Sequence, residues 1–155
     1  MDETISIVLF SGTDDKLAAA AVLAAGGAAL GRPVKIFLQY WGLNAFRADR
    51  IMSDHGLVPE AGPAGRAAVD AAAKAGQAHW ADTLRMAKEL GEVDIQACSA
   101  SMDLLKLKQA DLDPMVDGVE GVAAFYISAG EGQIIFIKPR KQKSEGTTNG
   151  NQAKG

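Results

Sequence analysis

Cysteine is almost missing from this chain: 155 residues contain one, Cys98. A single thiol excludes an internal disulfide framework, a CxxC pair and a multi-cysteine metal site within one chain. Histidine is nearly as scarce, with only His55 and His79, and no cluster of His, Cys or carboxylates has ligand spacing, so no metal is expected. Aromatic residues make up 6% while alanine and glycine are abundant, which predicts helices packed closely on a sheet and not a bulky aromatic ligand cage. The longest apolar run, residues 17–30, is mostly alanine and glycine and falls short of the ~18 residues that suggest a membrane span. The first residues are acidic and lack the basic start of a signal peptide. A cytoplasmic, reducing setting without an integral membrane segment is therefore expected.

The formal charge of −3 conceals an asymmetry. Five of the basic residues (Lys138, Arg140, Lys141, Lys143 and Lys154) lie from position 138 onward, where Glu145 is the only acid. The body before them is correspondingly acidic. Phosphate neutralisation needs a basic face, so nucleic acid is not expected as a partner. From residue 139 the composition turns to Lys, Gln, Ser, Gly, Thr and Asn, too polar to fold alone. We read residues 1–138 as one domain and 139–155 as a polar, disordered tail.

What is present alternates. Residues 5–10 form an apolar run suited to a strand covered on both faces. An alanine-rich helix follows over residues 15–30, with Thr13 or Asp14 as its cap and Gly31 suited to the left-handed turn that ends it. Residues 34–38 read as a second strand, residues 39–46 as an aromatic loop, and residues 47–55 as a helix stopped by Gly56. Residues 59–76, punctuated by glycine and proline, read as a mobile excursion containing a weak helix. Residues 79–90 form a better helix, with Trp80, Leu84, Ala87 and Leu90 on one side. Residues 94–98 are a third strand, leading into a short helix around 104–107. A brief strand is expected near 116–120 and a last one at 133–137, while 121–129 fits either helix or strand. The pattern predicts an α/β domain of three layers, a mainly parallel sheet of about five strands flanked by helices.

In such sheets sites collect beyond the carboxyl ends of the strands. That directs attention to residues 11–15, 40–46 and 98–103. Cys98 ends the third strand, and a helix beginning after it would present the backbone N–H groups of Ser99, Ala100, Ser101 and Met102 toward its sulfur and favour the nucleophilic thiolate. Ser99 and Ser101 would add hydroxyl donors, with Asp103 as a capping residue. Tyr40, Trp41 and Asn44 could wall the same pocket or simply pack at the sheet edge. Lys16 is the candidate for attracting an anion. Residues 11–16 resemble a phosphate loop only superficially, lacking its glycine spacing, and no G-x-G-x-x-G follows the first strand, so no nucleotide cofactor is expected. On the residues alone, a lone cysteine is more simply a small buried hydrophobe.

Three stretches resemble the DsrE-like sulfur-relay family, in its subgroup of small stand-alone proteins: residues 8–16 with the alanine-rich helix behind them, residues 37–46 with Tyr-Trp-Gly-Leu-Asn at their centre, and Ala-Cys-Ser-Ala-Ser-Met-Asp over 97–103. The last is the most specific. Residues 118–137 are similar to the family's ending, which implies a helix over 121–129. The resemblance implies a sulfur carrier or sulfurtransferase that holds a persulfide or thiosulfonate on Cys98 and passes it to an acceptor thiol. It also implies rhodanese-like or TusA-like partners in sulfur oxidation or tRNA thiolation, no cofactor, and a homo-oligomer such as a trimer or hexamer. The chain departs from relatives in lacking a second cysteine, in the alanine- and glycine-rich stretch between 47 and 76, and in its polar tail. Two rival roles stay open at this point: an interaction subunit with an inert, buried Cys98, and a module binding a nucleotide or small anion without covalent chemistry.

Overall fold

A computed structural model describes residues 3–139. The polar tail expected from residue 139 lies, apart from Pro139, outside the described residues. Five strands form one sheet: β1 (Ile5–Leu9), β2 (Val34–Leu38), β3 (Val93–Cys98), β4 (Gly118–Glu120) and β5 (Gln133–Ile137). Their order is β4-β3-β2-β1-β5 and every pairing is parallel. Six helices connect or follow them: α1 (Asp14–Ala29), α2 (Tyr40–Ala45), α3 (Gly62–Lys74), α4 (Trp80–Leu90), α5 (Ser99–Leu105) and α6 (Val122–Ala129). The expected α/β architecture is present, with the sheet parallel throughout.

Side-chain alternation divides the sheet into two unequal faces. Ile5, Ile7 and Leu9, Val34, Ile36 and Leu38, and Val93, Ile95 and Ala97 turn to one face and form the main core. Helices α1 and α4 cover it. The α1 stripe of Leu17, Ala20, Ala21, Ala24 and Ala28 is small, so α4 approaches closely with Trp80, Ala81, Leu84 and Ala87. The second face holds Val8, Phe37 and Cys98, and Phe125 of α6 closes over them. The Phe37 and Phe125 rings stack at 4.7 Å and 9°. Lys35, buried on this face, lies 2.7 and 2.9 Å from the two oxygens of Glu120 and donates to Ser128 of α6. Those contacts tie the α6 helix to the sheet, and they settle residues 122–129 as helix.

Several local expectations change. Residues 40–45 are a short helix, not a loop. Residues 47–55 make turns instead of a helix, anchored by a bridge between Arg47 and Leu112 and by Ala48 N–H donating to Asp111 O. The weak helix expected within residues 59–76 is thirteen residues of regular helix, α3, with Pro63 in its first turn. Pro is favoured there because the first-turn N–H needs no helical partner. Leu90 is exposed and does not share the buried side of α4. Thr13 is the N-cap residue of α1 but makes no side-chain cap bond, and the Asp14 carboxylate accepts from His55 N–H and Trp80 Nε1 at 3.0 and 3.1 Å. Asp103 is likewise no cap, since α5 already begins at Ser99.

Candidate functional site at the carboxyl edge of the sheet

Cys98 is the last residue of β3 and the N-cap residue of α5, so its backbone stands at the junction expected for a strand-end site. Its side chain is another matter. Cys98 is 5% exposed, packed among Val8, Phe37 and Phe125, and its side chain accepts no cap hydrogen bond from α5. The strand alternation explains the direction: Cys98 follows Asp94 and Gln96 onto the face that α6 covers.

The loops after β1, β2 and β3 converge here, and glycine makes the convergence feasible. A Cβ at Gly12 would lie 2.3 Å from Trp41 O, and one at Gly42 would lie 2.1 Å from Leu9 O. Only hydrogen fits at either place, so the Ser-Gly and Trp-Gly pairs bring the β1–α1 loop against α2. Tyr40 takes the left-handed region at φ +44°, uncommon for a residue with a bulky side chain. Its N–H donates to Ser101 Oγ at 3.1 Å, and its ring stacks on Phe10 at 4.6 Å. Phe10 in turn meets Phe136 at 6.2 Å, and Trp41 lies edge-on to Tyr40 at 6.2 Å. An aromatic row thus runs from β5 across β1 to the start of α2.

The expected site residues are only partly assembled. Tyr40 and Ser101 meet directly. Ser101 is 2% exposed, and its hydroxyl oxygen accepts from Tyr40 N–H. Met102 is buried in the main core, on the other face from the Cys98 side chain. Ser99 is half-buried and Ala100 exposed. Trp41 is exposed and Asn44 half-buried. Lys16 stands in the first turn of α1, the helix that packs on the main-core face, and no described contact links it to Cys98. Three residues around the thiol were not anticipated from sequence: Phe37 and Phe125, which enclose it, and Glu120, its register partner on β4. Strand alternation on β2 could have pointed to Phe37, whereas Phe125 arrives from a helix whose placement no local pattern specifies.

No group of three or more His, Cys, Asp or Glu able to hold a metal occurs among the described residues. Nor is any helix among them long and apolar enough to cross a membrane.

A five-stranded parallel sheet flanked by helices, with Cys98 at the carboxyl end of the third strand, defines an α/β domain. Comparison with known proteins makes this specific. The model of the DsrE/DsrF/DrsH-like family matches residues 1–65, covering β1, α1, β2 and α2. The uncharacterized protein YrkE of Bacillus subtilis (strain 168) is 32% identical over 154 residues, spanning 85% of this chain and 95% of that protein. The chain belongs to the DsrE/DsrF/DrsH-like family. Among solved structures, the protein of unknown function MTH1491 from Methanobacterium thermoautotrophicum shares the fold with a TM-score of 0.59 at 13% identity, covering 87% of this chain and 99% of that one.

Proposed function

We propose that the protein is a sulfur carrier in which Cys98 accepts a sulfane sulfur from a donor and yields it to an acceptor thiol. The observation that carries this reading is the position of the chain's only thiol at the carboxyl edge of a parallel sheet, where three loops converge, in a member of this family. In the loading step the Cys98 thiolate attacks the sulfane sulfur of thiosulfate. A new S–S bond forms, the donor S–S bond breaks, and sulfite leaves with the electron pair. With tetrathionate the same attack leaves a thiosulfonate on Cys98 and expels thiosulfate. In unloading, an acceptor thiolate attacks the outer sulfur and the Cys98 thiolate is the leaving group. Such exchange requires an accessible, partly ionised thiol.

Access is the point on which burial bears. With the thiol enclosed by Phe125, loading must follow an opening at the start of α6 or at Tyr40, whose backbone sits in an unfavourable region. Strained residues cluster at functional and switch sites, and Tyr40 is held by its bond to Ser101 and by ring contacts with Phe10 and Trp41. Within this reading Ser99, Ala100 and Met102 contribute backbone donors, Trp41 and Asn44 the outer wall, and Lys16 attraction for an anionic donor. Rhodanese-like or TusA-like proteins are the proposed exchange partners, in the cytoplasm, and the domain is taken to end at residue 138. The exposed apolar side chains Val122, Tyr126 and Ile127 of α6 and Ile134 and Phe136 of β5 support assembly into a homo-oligomer such as a trimer or hexamer.

A second reading rests on the same burial: Cys98 as an inert packing thiol in an interaction subunit. Intact-mass measurement after incubation with thiosulfate, tetrathionate or polysulfide separates the two. The carrier reading expects a dithiothreitol-reversible gain on the native protein that Cys98→Ser abolishes. No adduct with any donor, while the denatured protein alkylates normally, would establish the inert role.

A further inference from the structure

The helix that encloses Cys98 is lightly held. Of the eight residues of α6 only Phe125 and Ala129 are buried, while Val122, Tyr126 and Ile127 are exposed. An element with so few buried side chains opens locally at less cost than unfolding the whole domain. Glycines bound the segment. Gly121 lies beside the turn after the cysteine, where a Cβ would stand 3.8 Å from Ser99 Oγ, and Gly130 follows the helix at φ +54°. Beyond it the chain is fixed, since a Cβ on Gly132 would lie 2.2 Å from Thr4 O. The side of the site toward Tyr40 yields less. Gly12 against Trp41 O and Gly42 against Leu9 O leave the β1–α1 loop and α2 no slack.

A polar tie crosses from the sheet to this helix. Lys35, 6% exposed on the middle strand β2, donates to Ser128 Oγ at 2.5 Å. Ser128 in turn donates to Phe125 O at 3.3 Å, the carbonyl of the residue whose ring covers the thiol. The same ammonium is paired with Glu120, the register partner of Cys98, at 2.7 Å and has Asp94 at 3.8 Å. A buried charge is tolerated only while it stays paired. Glu120 and Asp94 belong to strands of the sheet, so they keep Lys35 neutralised when α6 lifts, and only the bond to Ser128 is given up. The helix can therefore leave without stranding a charge.

We propose that α6 is a gate over Cys98 and that Lys35, through Ser128, is the latch that sets how often it opens. The use of such a gate rests on the sulfur-carrier reading, because it controls which donors and acceptors reach the thiol; its existence is tested without sulfur. The measurement is the rate at which iodoacetamide alkylates Cys98 in the full native chain, followed by intact mass. The parent is expected to react about tenfold or more slowly than the urea-unfolded chain. Ser128→Ala is expected to speed the native reaction about tenfold, as loss of a hydrogen bond to a charged group requires, and Ser128→Thr, which keeps the hydroxyl, to restore the parent rate. Ile7→Val thins the main core on the other face and lowers global stability, and is expected to leave the rate unchanged. Lys35→Met also costs stability by leaving Glu120 without its cation; where it folds, adding Ser128→Ala is expected to bring no further acceleration. Parent-like alkylation of Ser128→Ala, acceleration by Ile7→Val, further acceleration in the double variant, or a parent that reacts as fast as the unfolded chain would each overturn the gate. A working gate in a protein that takes up no sulfur would count against the carrier reading alone, and sulfur uptake without these effects would remove the gate alone.

Discussion

A methyl group on Gly42 would be driven into the carbonyl oxygen of Leu9, a backbone atom inside the sheet that has nowhere to go. Gly42→Ala is therefore expected to lower stability by about 2 kcal/mol or more, the upper part of the range for overpacked sites. The check is urea unfolding, with a lower midpoint and an unchanged slope. An unaltered midpoint would mean that α2 can shift away from β1 at little cost. The same close approach sets the environment of Cys98 indirectly, because α2 carries Tyr40 and Tyr40 is bonded to Ser101 in the turn after the cysteine. At this scale the sequence was partly legible. The Asp94, Gln96, Cys98 alternation already places the thiol on a different face from Val93, Ile95 and Ala97. What was hidden is the cover: Phe125 reaches the sulfur from a segment far along the chain.

Among the elements, α4 carries its own pH response. His79 is its N-cap residue, and Nδ1 can accept from Ala81 N–H only while it is unprotonated. Burial is the main cause that lowers the His79 pKa, opposed by the Asp14 and Asp82 carboxylates. The unfolded chain then takes up a proton more readily than the folded one. The contribution of His79 is complete above the ordinary value of 6.5 and declines as pH falls below it. His79→Asn keeps a good capping side chain without titrating, so thermal unfolding scans should show a flatter stability profile between neutral and mildly acidic pH. His79→Ala should be less stable by about 1 kcal/mol at neutral pH through loss of the cap. If His79→Asn shows the parent's acid sensitivity, the response belongs to other groups. Strands β1, β2 and β5 were readable because they are short, mostly apolar runs, and α1 because alanine and Gly31 mark its body and end. Helix α3 was legible only as a weak helix, because glycine and proline at its start mask the length of an alanine-rich stretch that the Arg66–Asp70 pair helps to hold.

At the level of the whole molecule, the two faces of the sheet are unequally covered. Two long helices close one, and the eight-residue α6 closes the other, leaving Ile127 82% and Phe136 51% exposed. If that surface joins subunits, Ile127→Asp and Phe136→Asp should lower the assembly's mass in light scattering after size-exclusion chromatography. The far-ultraviolet circular dichroism should stay unchanged. A monomeric parent protein, or variants of undiminished mass, would remove this face from consideration as a self-interface. Composition could not foresee the imbalance: the apolar residues of α6 and β5 look like core in sequence, and only the strand order shows that too little packs over them.

That strand order also bears on how the chain comes into being. Strand β1, the first to leave the ribosome, lies between β2 and β5, with Ile5 beside both Val34 and Gln133. Until synthesis has passed Ile137, one edge of β1 has no neighbour, and its amides present a template on which another nascent chain could align. The sheet is therefore complete only once β5 has been made, and a premature stop before β5 would yield a product inclined to self-associate during biogenesis.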